Sequence, residues 1–194
     1  MKSLKIIIFV FLCIISSSLY AQSVNETIEI QFTEYSQLVI DKEFDKALDY
    51  THEGLFDVIP REQMVKLMEI ALNSIEGEFK ASLPEVKNFS DIIKIDGVNY
   101  VKFQSLTELQ IKLTDLEESE NKEMELPLYK LSFEKKFGVG NVKYNEETHF
   151  FDINSTKKVI AKSDDNLKDW KFAIVETDNQ KLILERFIPT QLFE

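Results

Sequence analysis

Between Val98 and Leu113 apolar and polar side chains alternate almost without fault. Val101, Phe103, Leu109, Ile111 and Leu113 take the odd positions, and Lys102, Gln104, Glu108, Gln110 and Lys112 the even ones. A period of two turns one face of an extended chain toward a core and the other toward water, so this stretch predicts one long, half-buried strand. Ser105 and Thr107 interrupt the apolar side and predict a bend or bulge midway. Asp96-Gly97 just ahead is a hairpin dipeptide, and it pairs this strand with one over residues 91–95.

Upstream the period is that of a helix. Ile28, Phe32, Tyr35 and Val39 form one stripe, with Asn25 placed to cap it. Phe44, Ala47, Leu48 and Thr51 predict a second helix ending near Gly54. Met64, Leu67, Met68, Ala71, Leu72 and Ile75 predict a third, opened by Pro60 and closed by Gly77. Leu126, Tyr129, Phe133 and Phe137 fit a fourth, capped at Gly138, although Tyr129, Leu131 and Phe133 also fit a strand. Strands are then expected at residues 142–144, 149–153, 158–162, 170–177 and 182–187. Helices grouped ahead of strands, without βαβ alternation, predict an α+β fold: N-terminal helices packed on a curved, mostly antiparallel sheet.

The first residues read as an export signal rather than as fold. Lys2 and Lys5 precede an apolar run from Ile6 to Ile15, and Leu19-Tyr20-Ala21 offers a cleavage site. The expected organisation is a leader over residues 1–21 and one domain over residues 22–194, exported to the periplasm or beyond the cell. The apolar run is too short to span a bilayer, so no membrane span is expected after cleavage. Cys13 is the chain's single cysteine and leaves with the leader, so the domain is expected to hold no disulfide and no thiol chemistry. A formal net charge of -11 argues against a nucleic-acid partner, whose phosphates call for a basic surface.

Three short stretches stand out: Asp45-Lys46-Ala47-Leu48 with Ile59-Pro60-Arg61-Glu62-Gln63-Met64, then Phe137-Gly138-Val139-Gly140-Asn141-Val142-Lys143-Tyr144, and Trp170-Lys171-Phe172 with Ile188-Pro189. Together they resemble secreted bacterial members of the NTF2-like (cystatin-like) superfamily. The resemblance implies a sheet wrapped around helices as a cone with an apolar pocket at its mouth. Members of that superfamily include isomerases and dehydratases as well as binding and dimerisation modules, and fold alone does not choose among them.

Reactive constellations are sparse. Two histidines give little material for metal binding, and no HExxH or CxxC spacing occurs, so neither a metal nor a cofactor is expected. His52 reads as a helix C-terminal histidine or a pocket base. His149 and Asp152 invite a dyad, but on a strand they would point to opposite faces. Asp115, Glu117, Glu118, Glu120, Glu123 and Glu125 form an acidic run without a calcium-loop pattern, and it reads as a solvated loop. With 15 Phe, 6 Tyr and 1 Trp, aromatic side chains are abundant enough to line a cavity or simply to fill a core. Tyr35, His52, Trp170 and Phe172 are the candidate ligand-binding residues, and no catalytic residue is assigned. Two functions from different classes follow. One is a non-enzymatic domain whose concave aromatic face binds a small apolar ligand or a protein partner. The other is an isomerase or lyase using a buried Asp or Glu in the pocket, helped by a Tyr hydroxyl. A homodimer through the outer sheet face is a third expectation.

Overall fold

The computed structural model describes residues 24–73, 76–164 and 167–193. The leader and Cys13 lie outside the described residues, as do Ile75 of the third helical stripe and the Asp165-Asn166 turn. The architecture is α+β, with helices on a wholly antiparallel seven-stranded sheet. Strand β1 is Gly77–Ala81, β2 Glu85–Lys87, β3 Ile93–Ile95 and β4 Val98–Leu113. Strand β5 is Val142–Tyr144, β6 Phe151–Ser163 and β7 Lys171–Val175.

The sheet is built on two long strands. β4 and β6 pair without a break from Asn99↔Ser163 to Ile111↔Phe151. One side of β4 carries β1, β2 and β3 in series, and the far side of β6 carries β5 and β7. The 93–95 strand and the Asp96-Gly97 turn are as the sequence indicates. Both turn residues have positive φ (51° and 87°), the geometry that such hairpins require. The bulge expected at Ser105 and Thr107 is absent, because they pair in register with Lys157 and Ser155. The break in the apolar row instead marks a seam between two cores on the same face.

Helix α1 covers residues 24–40. Its Val24, Ile28 and Phe32 are buried against Val101 and Phe103 of β4, Val159 and Ala161 of β6, and Phe172 of β7. Asn25 lies inside the helix instead of capping it. At the other end of the same sheet face sits α5 (Lys122–Phe137), which lays Leu126, Tyr129, Phe133 and Phe137 on Ile111, Val142, Phe151 and Ile153. The helical alternative for this segment is therefore the observed one, and Gly138 closes it with φ of 98°. The opposite sheet face is polar along most of its length. Near Tyr100, Ile160 and Ala173 it is covered by Leu184, Ile188 and Leu192 of the C-terminal segment.

Several expectations are corrected. The second helix is broken into α2 (Phe44–Ala47) and short 3-10 turns at Leu48–Tyr50 and Glu53–Leu55, while Thr51 bridges Phe172. The strands expected at 149–153 and 158–162 are one continuous β6, and His149 precedes it in a turn with φ of 61°. Residues 182–187 do not form a strand. Helix α6 (Asp178–Leu184) takes its first half and a turn the rest, the helix started by a capping box in which Thr177 and Gln180 satisfy each other's backbone N–H. The acidic run is helical in two pieces, α4 (Thr114–Glu118) and the start of α5, because Leu116 is buried and anchors it. Helix α3 (Arg61–Asn73) forms where expected, but none of its residues is fully buried, and Leu67 and Ile70 are 50% and 65% exposed.

Candidate functional site

The four residues singled out from sequence fall into two places. Tyr35, Trp170 and Phe172 gather on the α1 side of the sheet, and His52 belongs to the other face. Tyr35 and Phe172 both contact Phe32, which α1 inserts between them and Phe103. Its ring meets Phe103 edge-on at 5.0 Å and Phe172 edge-on at 5.1 Å, with Tyr35 tilted at 5.6 Å. Edge-to-face packing of this kind fills space and adds about 0.5–1.5 kcal/mol per pair beyond burial alone. Burial pushes the Tyr35 phenol up to about 12, with Glu176 adding to the effect, so it does not ionise near neutral pH. Trp170 is 1% exposed and spends its indole N–H on the Leu167 carbonyl at 3.2 Å. Gln31 of α1 receives the Trp170 backbone N–H at 2.9 Å, tying helix to strand. Tyr35 and Phe172 therefore touch each other and Phe32, and Trp170 belongs to the same buried cluster.

A shallow groove of about 570 Å³ runs beside this cluster. Gln31, Glu34, Leu38, Tyr50, Trp170 and Lys171 line part of it. Tyr50 is raised to about 12 by desolvation first and by its hydrogen bond to Glu34 second. The groove is open, with polar and apolar groups sharing its lining about equally, a feature of the surface.

His52 is buried, with 4% of its surface exposed. The sequence placed it at the end of a helix, where the dipole would favour its charged form; the structure places it at the start of a turn. Its backbone N–H reaches Phe172 O at 3.0 Å, and its Nδ1 accepts the Gly54 N–H at 3.1 Å. A ring that accepts through Nδ1 carries its proton on Nε2, and among the described residues Nε2 has no hydrogen-bond partner. The Phe187 ring packs against it at 4.9 Å, tilted by 42°. Desolvation holds the imidazole below its ordinary value of 6.5, against the opposing pull of Glu53. Around it, Lys162 pairs with Glu53 and, at 3.2 Å, with Asp164.

This arrangement makes stability depend on pH. With the folded pKa depressed, the neutral ring contributes fully above about 6.5, and the contribution is lost as pH falls below that value toward the folded pKa. Denaturant titrations should show stability declining there by up to about 1.4 kcal/mol per pH unit. His52→Asn, which retains an acceptor for Gly54 but does not titrate, should flatten that part of the profile. An unchanged slope in the variant would assign the effect to another group.

A polar cluster that the sequence did not reveal lies at the far end of the sheet. Glu117 of α4 accepts from His149 Nδ1 and, at 2.6 Å, from Lys122 Nζ; the Tyr144 hydroxyl donates to it at 3.3 Å. The His149 and Tyr144 rings stack with centroids 6.5 Å apart. Asp152, the partner considered from sequence, accepts instead from Gln110 across β4 and β6 at 2.7 Å. Desolvation pushes Glu117 upward, but the hydrogen bonds from Lys122 and His149 outweigh it and hold the carboxyl below its usual range. Glu53 behaves likewise, with Lys162 overcoming its desolvation. Both carboxylates are thus kept ionised and paired, the reverse of the raised, proton-holding state that general acid chemistry requires.

Among the described residues, no group of three or more His, Cys, Asp or Glu side chains is arranged to hold a metal ion. Among them also, no helix is long and apolar enough to cross a membrane. Compared with known proteins, the chain matches no family, no curated protein and no solved structure.

Proposed function

We propose that this chain is an exported, non-enzymatic domain that binds another protein through its helical surface. The observation that carries this reading is a mismatch between where apolar side chains are buried and where they are left bare. The aromatic face of the sheet is filled by Phe32, Phe103 and Phe172. The outward sides of α3 and α5 meanwhile expose Leu67, Ile70, Met124, Leu128 and Leu131 at 50–67%. Single exposed apolar residues are ordinary, but repeated ones along two helices mark a surface that a partner covers. The isomerase or lyase alternative would use a buried carboxyl whose pKa is raised, whereas both paired carboxylates described above are held below their usual range. Export is supported by the basic start, apolar run and small-residue site of residues 1–21.

Native mass spectrometry of protein purified from its own source tests the reading. The expected spectrum shows the polypeptide without a stoichiometric small molecule. The fluorescence enhancement of anilinonaphthalene sulfonate should drop by more than half in a Leu67→Glu, Ile70→Glu, Leu128→Glu variant. A retained metabolite, or dye binding unaffected by those substitutions, would overturn it.

A further inference from the structure

We propose that α5 is the contact surface of a symmetric homodimer, in which it pairs antiparallel with α5 of a second copy. This rests on the protein-binding reading and names the partner. A helix packed on only one side normally shows an apolar stripe and a polar back. Helix α5 has a second stripe. Met124, Leu128 and Leu131 follow a spacing of four and three and are 67%, 66% and 63% exposed, on the side away from Leu126, Tyr129, Phe133 and Phe137. Lys135 extends the stripe by one further step of four and is exposed.

Charge identifies the occupant. Glu123 and Glu125 stand in the first turn of α5, and Lys135 and Lys136 in the last. A second copy laid antiparallel sets acidic ends against basic ends and also opposes the two helix dipoles. Two-fold symmetry makes the contact self-complementary, since each half supplies what the other lacks. Centring the pair between Tyr129 and Lys130 places Leu128 opposite the second copy's Leu131 and Met124 against the aliphatic stem of its Lys135. Glu125 then lies on the flank that carries the second copy's Lys136. On that flank runs a groove of about 710 Å³ between α4 and α5, lined in part by Asp115, Glu118, Glu125, Leu128 and Ser132. It gives the incoming lysine three carboxylates. Lys130 is occupied within its own helix, 3.9 Å from Glu134. The exposed face of α3 offers no comparable order of charges, and the polar outer sheet face presents Lys102, Gln104, Glu108 and Gln110 where apolar contacts would be needed.

One helix pair covers little area, below about 1,200 Å² in total, which is the range of transient complexes. Sedimentation velocity on the leaderless chain, from about 1 µM to about 1 mM, should therefore show concentration-dependent dimerisation without larger species. Leu128→Glu should weaken it about a hundredfold, and Glu125→Lys or Lys136→Glu alone about tenfold. Glu125→Lys and Lys136→Glu combined in one chain should restore it to within about threefold, because the reversed charges again face each other. All three positions are on the exposed or outer side of α5, and circular dichroism checks that each variant is folded. A chain monomeric throughout the range, a dimer indifferent to Leu128→Glu, or a double reversal that fails to rescue would each overturn the proposal. A monomer that carries no small ligand sinks only the dimer, whereas a stoichiometric ligand in native spectra sinks the protein-binding reading itself.

Discussion

Gly77→Ala should be the most damaging single methyl group that can be added to this chain. Gly77 opens β1 opposite Leu113 with φ of 151°, a conformation that side chains rarely adopt. A Cβ built there lies 1.8 Å from the Lys112 carbonyl oxygen and 2.9 Å from its carbon. Those atoms are backbone of the central strand, so relief requires β1 to peel away from β4 rather than a side chain to turn. The strain and the lost pairing together should cost about 3–5 kcal/mol, the upper range for point substitutions. For a domain of this size that corresponds to a fall in Tm of roughly 10 °C or more. Thermal and urea unfolding measure it directly. A loss below about 1 kcal/mol would show that Gly77 does not approach β4 as described.

Phe32→Ala should cost a similar amount for the opposite reason. Phe32 is 2% exposed and touches three other aromatic rings, so truncation leaves a void that Tyr35, Phe103 and Phe172 cannot close. Phenylalanine-to-alanine changes in such settings cost about 3–5 kcal/mol. The void carries a second, more specific expectation. It would be apolar and dry, and benzene should bind it and recover part of the lost stability. Native protein, whose corresponding space is occupied, should gain nothing from benzene. Equal stabilisation of both forms would reveal a cavity beside the aromatic cluster and return the small-ligand reading to the front.

How far the sequence could be read depends on which side of each element is covered. The β4 pattern was legible because one face of that strand meets helices and the other mostly meets solvent. Strands β1 and β2 gave no such sign: β1 is exposed over Gly77–Lys80, and its extended form comes from the free edge of β4 rather than from its own residues. The Leu182–Phe187 stretch fits both periods, and the deciding signal was three residues of spacing upstream, where Thr177 and Gln180 make a capping box. That signal was present in the letters and outweighs the alternation. For α3 the period gave the helix correctly but not its surroundings, since an apolar stripe does not say whether the surface it needs belongs to the same molecule.

The candidate site was legible only in part. Tyr35 and Phe172 do meet, with ring centroids 6.2 Å apart, but an abundance of aromatic residues cannot distinguish a lined cavity from a filled one. His52 was recognisable as unusual without its role being apparent, because its partner Gly54 is local while Phe187 arrives from the C-terminal segment. The Glu117–His149 contact joins positions 32 residues apart, across a helix and a strand. No local spacing encodes it. His149 and Asp152 do not pair, as the alternation indicated, although His149 sits before the strand with positive φ, where no face is assigned.

The serial arrangement of β1, β2 and β3 along β4 has an evolutionary consequence. Each short segment is zipped to its own stretch of one template, so the connection at Leu83-Pro84 can gain or lose residues without shifting the neighbouring register, whereas Phe89 and Ser90 tie the next connection to Phe103 and Lys102. Sequence drift should therefore accumulate as length variation along this rim, while the central β4–β6 pair tolerates substitution but not insertion.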